Sequence, residues 1–255
     1  MQRADILLTE QGLAQSRTHA QRLLKGGKVS IRSGTGWKVI TKPGLKLDPE
    51  TEFQVEVDEA DRFVSRGALK LLGALQRSQL DVTGLIAIDI GQSTGGFSDC
   101  LVQSGIQKVV GIEVGHDQLA ERLRQDERVL CFEGVNGRDL PAEMLLVHSH
   151  SDGFDLAVMD VSFISQTKIL PSLTPLLRPG GYLISLVKPQ FEVGKAGIGR
   201  GGIVRDPSLY PKVEDTIKSL CAELGLNVLD YFESPIKGGD GNREFLIIAQ
   251  KPEFC

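Results

Sequence analysis

Asp89 stands two residues before Gly91 in the run Leu85 to Asp99, which continues through Ser93, Thr94, Gly95, Gly96 and Phe97. An apolar strand that ends at an acid and breaks into glycines lets the backbone turn tightly and approach a ligand closely. The glycine spacing alone also fits a dinucleotide loop and is a weak signal. The acid changes the reading. A carboxylate there repels a pyrophosphate but suits a ligand with a cationic amine and a sulfonium, such as S-adenosylmethionine. A tight strand-to-helix turn without a ligand is the plain alternative.

A second acid, Glu113, closes the strand Val109–Glu113 about twenty positions after the turn, where a ribose-binding acid is expected. At the carboxyl end of an adjacent parallel strand it accepts both hydrogen bonds of a ribose diol. Taken alone it is a solvated strand end. Asn136, just after the third strand, is placed to read an adenine edge. The strand Leu156–Asp160 runs into Val161, Ser162 and Phe163. Enzymes that methylate base amino groups often carry an Asn/Asp-Pro-Pro-Tyr/Phe sequence here, and this chain lacks the prolines. It also lacks a Pro-Cys pair that would supply a thiolate for attack on a pyrimidine. Both absences favour an oxygen acceptor.

The elements that must position these residues alternate. An amphipathic helix from Ser65 to about Gln76 precedes strands at Leu85–Ile90, Val109–Glu113, Val129–Phe132, Leu156–Asp160, Tyr182–Val187, Asn227–Tyr231 and Phe245–Gln250. Helical stretches separate most of them, which predicts an α/β fold: a Rossmann-like, seven-stranded, mostly parallel sheet covered on both faces. A polar Gly-rich turn separates the last two strands, so these form an antiparallel pair at the sheet edge. The first sixty residues read as a small α+β domain, residues 1–60, ahead of the larger domain, 61–255. Ser16 caps a helix from Arg17 to Lys25, stopped by Gly26 and Gly27. Strands follow at Lys28–Ile31, Lys38–Thr41 and Glu52–Val57, and Glu59–Arg62 is a linker.

The net charge of −4 hides an asymmetry. Met1 to Lys46 carries nine bases against two acids, a net +7, while Leu47 to Asp61 carries seven acids and no base. A concentrated basic stretch is the footprint of a polyanion partner. Arg3, Arg17, Arg22, Lys25 and Lys28 are the candidate RNA-contacting residues of this stretch; a solvated helix face is the bland alternative. The four cysteines, Cys100, Cys131, Cys221 and Cys255, form no CxxC pair and no Cys/His cluster. That spacing predicts neither a metal site nor a disulfide framework and fits a reducing, cytoplasmic compartment. No run approaches the length of a membrane span.

These segments together resemble the TlyA-type ribosomal RNA methyltransferases, also labelled the haemolysin A family. The matching segments run from RADILLTEQGLAQSR through FVSRGALKL, DIGQSTGGFSD, DVSFIS, LVKPQFE and GGIVRDP to SPIKGGDGNREFL. The resemblance implies an N-terminal RNA-binding domain like that of ribosomal protein S-four and an FtsJ-like methyltransferase domain. It further implies transfer of a methyl group from S-adenosylmethionine to the 2′-hydroxyl of cytidine in ribosomal RNA or ribosomal subunits. The FtsJ-type pattern of Lys, Asp, Lys and Glu falls on Lys70, Asp160, Lys188 and Glu244. A ribose hydroxyl is a poor nucleophile until it loses its proton, and Lys188, ending an apolar strand before Pro189, is the candidate base. The lysine must be neutral to serve; Lys70 and the sulfonium favour that form and the two carboxylates oppose it. The Gly-rich loop from Glu192 to Asp206 carries Lys195, Arg200 and Arg205 and reads as a lid or RNA-contact loop. The competing readings are a cytolysin, a non-catalytic RNA-binding assembly factor and a methyltransferase acting on a base or a protein.

Overall fold

Separate apolar sets divide the chain into two units, Met1–Arg62 and Phe63–Cys255. The computed structural model describes residues 1–14, 16–56 and 59–253, the side chains of Glu59 and Ala60 apart.

In the first unit β1 (Gln2–Arg3) leads into α1 (Ala4–Glu10) and α2 (Arg17–Lys25). Then come β2 (Val29–Ser33), β3 (Gly36–Ile40), β4 (Lys46–Leu47) and β5 (Phe53–Val55). β2 lies between β3 and β5, and β1 pairs with β4, all antiparallel. Ser16 caps α2 by accepting the His19 N–H at 3.2 Å. Ala20, Leu23 and Leu24 form the buried stripe of that helix and pack with Ala4, Leu8, Val29 and Ile40. The sequence pattern leaves residues 4–10 unassigned; the structure makes them α1, whose Ala4, Leu7 and Leu8 are buried at helical spacing. Of the expected strand Glu52–Val57, the structure forms Phe53–Val55, and Val57 lies outside the described residues. Glu59–Arg62, expected as an irregular linker, is a single 3-10 turn.

The second unit opens with α3 (Ala68–Ser78), β6 (Ile86–Ile90), α4 (Gly96–Gln103), β7 (Lys108–Glu113), α5 (Glu121–Arg124) and β8 (Val129–Glu133). It continues with α6 (Ala142–Leu146), β9 (Phe154–Met159), α7 (Leu170–Leu173), β10 (Leu177–Val187), α8 (Leu209–Glu223), β11 (Asn227–Glu233) and β12 (Phe245–Gln250). The seven-stranded sheet has the order β11-β12-β10-β9-β6-β7-β8. β6 to β10 pair in parallel, and β12 is antiparallel to both neighbours. β11 and β12 do pair, but the later strand lies inside and the earlier one takes the edge. Leu246 to Ala249 are all buried, as an interior strand requires, whereas β11 is half exposed.

Side chains leave a strand with period two, so β6 feeds both cores. Ile86, Ile88 and Ile90 join Val110 and Ile112 on one face, and Ala87 joins Val109, Phe97 and Leu101 on the other. The helix expected from Ser65 starts at Ala68, because Ser65 Oγ accepts the Gly67 N–H at 3.1 Å and holds a turn ahead of it. Register then aligns the site. Ile90 pairs with Ile112 and Met159, and Val187 with Phe245. Gly91, Glu113, Asp160, Lys188 and Glu244 each lie one residue beyond these partners, on one edge of the sheet. Cys131 and Cys221 are free thiols and Cys100 is buried; Cys255 lies outside the described residues. Among the described residues no helix is long and apolar enough to cross a membrane.

Candidate active site

The glycine turn sits where strand order reverses, between β6 and β9, the point at which open α/β sheets bind ligands. Gly91 has φ +79°, and a Cβ there would lie 2.4 Å from the Asp160 carbonyl oxygen. Only glycine lets the two loops come this close. Gly95, at φ +97°, caps α4, and a Cβ on it would meet Leu123 at 2.3 Å. Beside the turn lie two cavities. One, of about 150 Å³, is lined by Ser65, Thr94, Gly96, Phe97, Asp160 and Lys188. The other, of about 620 Å³, has apolar walls including Ile112, Val135 and Ile169, with Ser93, Glu113 and Asn136 as polar groups.

Glu113 accepts the Ser93 and Gly115 N–H groups at 2.8 Å each, one per oxygen. Each oxygen keeps a second lone pair, so the carboxylate remains able to accept a diol. Asn136 Oδ1 accepts the Arg138 N–H at 3.0 Å, which leaves its amide nitrogen as the donor toward the cavity.

Asp89 is placed differently from Glu113. Strand periodicity aims it with Ala87 toward α4, and it lines neither cavity. Its carboxylate, 1% exposed, accepts Ser98 Oγ at 2.7 Å, and Ser98 Oγ accepts Gln92 Nε2 at 2.8 Å. The other oxygen has no partner among the described residues. Burial, first of all, pushes the Asp89 carboxyl up to about 7; the Ser98 bond opposes this, and the Asp160 and Glu113 charges add to it.

The four residues singled out by the FtsJ-type pattern form two ion pairs. Lys70 Nζ lies 2.6 Å from Glu244 Oε2, with the two residues 8% and 3% exposed. Lys188 Nζ lies 2.5 Å from Asp160 Oδ1 and donates to Ser162 Oγ at 3.1 Å. Sequence reasoning missed Ser162 and Gln190. The buried amide of Gln190 donates to Glu244 Oε1 at 3.3 Å. Its position two residues after Lys188 was the available signal. Glu192 ties the same turn to the loop after β9, accepting Ser165 Oγ at 2.5 Å and the Gln166 N–H at 2.9 Å.

The expected RNA-contacting residues divide into two kinds. Arg3 and Arg17 both bond buried Asp5, at 2.9 and 3.0 Å, and Arg22 pairs with Asp61. The Arg3 guanidinium outweighs burial and, with Gln21 and Arg17, holds the Asp5 carboxyl well below its ordinary range. These arginines therefore brace the first unit. Lys25 is exposed and Lys28 half-buried. Lys195, Arg200 and Arg205 are exposed on a loop of 3-10 turns. Asn242 pins that loop, donating to the Gly202 carbonyl at 3.0 Å and accepting the Val204 N–H at 3.2 Å. It has built-in structure, unlike a free lid.

A switch-point cleft with a glycine turn on a sheet of this order defines a Rossmann-like methyltransferase domain. The model for the FtsJ-like methyltransferase family matches residues 63–251, and the S4 domain model matches residues 2–53. The chain belongs to the FtsJ-like methyltransferases, in the TlyA group that also carries an S4 domain. The 16S/23S rRNA (cytidine-2'-O)-methyltransferase TlyA of Mycobacterium tuberculosis is 39% identical, over 96% of this chain and 88% of the relative. Hemolysin A of Brachyspira hyodysenteriae is 36% identical, over 96% and 98%. A solved structure from Streptococcus thermophilus matches at 41% identity and a TM-score of 0.72, covering 98% of this chain and 88% of that one. Fold and family imply S-adenosylmethionine as the methyl donor.

Gly91→Ala tests the turn. Overpacking costs about 1–3 kcal/mol, and 1.4 kcal/mol is about a factor of ten. Affinity for S-adenosylmethionine, measured by calorimetry, is expected to fall about ten-fold or more. Unchanged affinity in the folded variant would show that the turn does not hold the donor.

Proposed function

We propose that this chain transfers a methyl group from S-adenosylmethionine to the 2′-hydroxyl of a cytidine ribose in ribosomal RNA. The observation that carries this reading is the double pairing of Lys188 with Asp160 and Lys70 with Glu244 at the strand ends beside the cleft. The Mycobacterium tuberculosis relative is named for the same reaction.

Gly91, Ser93, Thr94, Gly95, Gly96 and Phe97 would cradle the donor, Glu113 would take its ribose diol, and Asn136 would read its adenine. This cleft fits such a molecule: apolar walls for a ring, a diol acceptor at the strand end, and a close approach that a Cβ would fill. When bound, the donor supplies a methyl group on a positively charged sulfur. Asp89 acts through the turn, by way of Ser98 and Gln92. Lys188 is the base. As a neutral amine it takes the proton of the ribose 2′-hydroxyl, which frees that oxygen to accept the methyl group the donor would supply. Asp160 and Ser162 aim that amine. Glu244 and Gln190 hold Lys70 in place as a fixed positive charge beside the cleft. The S4 domain, with Lys25 and Lys28, and the loop with Lys195, Arg200 and Arg205 engage the RNA.

The test uses the purified protein, S-adenosylmethionine labelled in its methyl group, and ribosomal subunits, followed by nuclease digestion. Label in 2′-O-methylcytidine is the expected result. Label in a base or in protein would overturn the acceptor assignment. RNA binding without any transfer would leave an assembly factor on a methyltransferase fold.

A further inference from the structure

Trp37 is the chain's one tryptophan, and it is 43% exposed. In the β2–β3 hairpin Arg32 is opposite Trp37, and Ser30 is opposite Val39. Residues directly opposite share a face of the sheet. The core takes Val29, Ile31, Ile40, Phe53 and Val55, so the other face carries Trp37, Val39 at 55% exposure, Arg32 and Ser30. The Arg32 guanidinium carbon lies 5.5 Å from the centre of the indole ring. Gln54 lies opposite Ser30 on the third strand. Glu52, whose carbonyl accepts the Arg32 N–H at 3.1 Å, makes no ion pair with it among the described residues.

The charge of the unit points to the same face. Arg3 and Arg17 share the buried carboxylate of Asp5, and Arg22 pairs with that of Asp61. Arg32, Lys38 and Lys42, on or just beyond the hairpin, make no ion pair among the described residues. Part of the positive charge left for a polyanion therefore lies on this hairpin, with Arg32 beside the exposed indole. An exposed aromatic ring flanked by a guanidinium is an arrangement that stacks a base and contacts a neighbouring phosphate. A duplex hides the faces of its bases, so the base must be unpaired.

We infer that the outer face of the β2–β3 hairpin stacks one unpaired RNA base on Trp37, with Arg32, on the same face, meeting the flanking backbone. This rests on the reading that the S4 domain engages RNA. A single tryptophan makes fluorescence a direct report of the site. Titrating the full-length protein with a short single-stranded oligocytidine is expected to quench its emission, and an RNA duplex of equal length to do so far less. Stacking of one base predicts that Trp37→Ala weakens oligocytidine binding by about ten-fold. Trp37→Phe is expected to restore most of the affinity, with S-adenosylmethionine affinity unchanged in both variants.

Oligocytidine binding with no change in emission, and with equal affinity in Trp37→Ala, would overturn the inference while leaving RNA engagement standing. Failure to bind any RNA would instead defeat the underlying reading. Quenching that follows protein concentration alone, with a dimer in sedimentation, would assign the face to a second copy and overturn the inference. Should Trp37→Ala fail to fold, the wild-type titration with single strand against duplex decides.

Discussion

Lys188→Arg is expected to be as inactive as Lys188→Ala. The two variants remove different things: alanine removes charge and reach, while arginine keeps both. A guanidinium stays protonated at every accessible pH, so it cannot accept the ribose proton. Asp160 would still hold it, as it holds Lys188 at 2.5 Å now, and the cleft would keep its charge. General-base catalysis contributes about 10²–10⁴ in rate. The loss should therefore fall on the single-turnover rate, with affinities for RNA and S-adenosylmethionine nearly unchanged. An arginine variant that turns over at close to the wild-type rate would make Lys188 a positioning charge, with the proton leaving by another route.

Asp89→Asn is expected to raise stability at alkaline pH and to change it little in acid. Burial lifts the Asp89 carboxyl to about 7 in the folded chain, from about 3.8 in the unfolded one. The folded state thus holds its proton more tightly. That contribution is fully present below the unfolded value and is lost as pH rises through the folded one. A rise from about 3.8 to about 7 corresponds to about 4 kcal/mol at most. Asparagine keeps an oxygen for Ser98 and carries no charge to bury. Thermal unfolding should therefore show the variant above wild type at pH 9, the gap closing toward pH 4. A gap that does not change with pH would mean that the carboxylate is solvated in the folded chain.

The strand ends were legible because parallel strands buried on both faces read as apolar runs, and Asp89, Glu113, Asp160 and Lys188 interrupt or end four of them. Their pairing was not. Lys70 and Glu244 lie 174 residues apart, and only sheet order decides which lysine meets which carboxylate. The direction of Asp89 was available in principle. Ile86, Ile88 and Ile90 define one face of β6, so the residue between the last two faces the other. Chemistry suggested a ligand, and geometry gave the carboxylate to Ser98. Charge counting found the basic stretch but not which bases are already matched. Asp5 meets Arg17 only because α1, which the sequence pattern did not reveal, lies against α2.

The placement of β12 between β10 and β11 has a consequence for how the protein comes into being. Gly91, Glu113, Asp160 and Lys188 are all synthesised before Glu244, so the donor cleft is in the chain while the acceptor chemistry still lacks a member. A chain interrupted before Phe245 leaves the edge of β10 bare, an open template for pairing with other strands. It also leaves Lys70 without the carboxylate that it holds at 2.6 Å. β12 joins β10 to β11 and brings Glu244 to Lys70. On the proposed mechanism, a chain interrupted there keeps Lys188 and Asp160 but lacks the carboxylate that fixes Lys70.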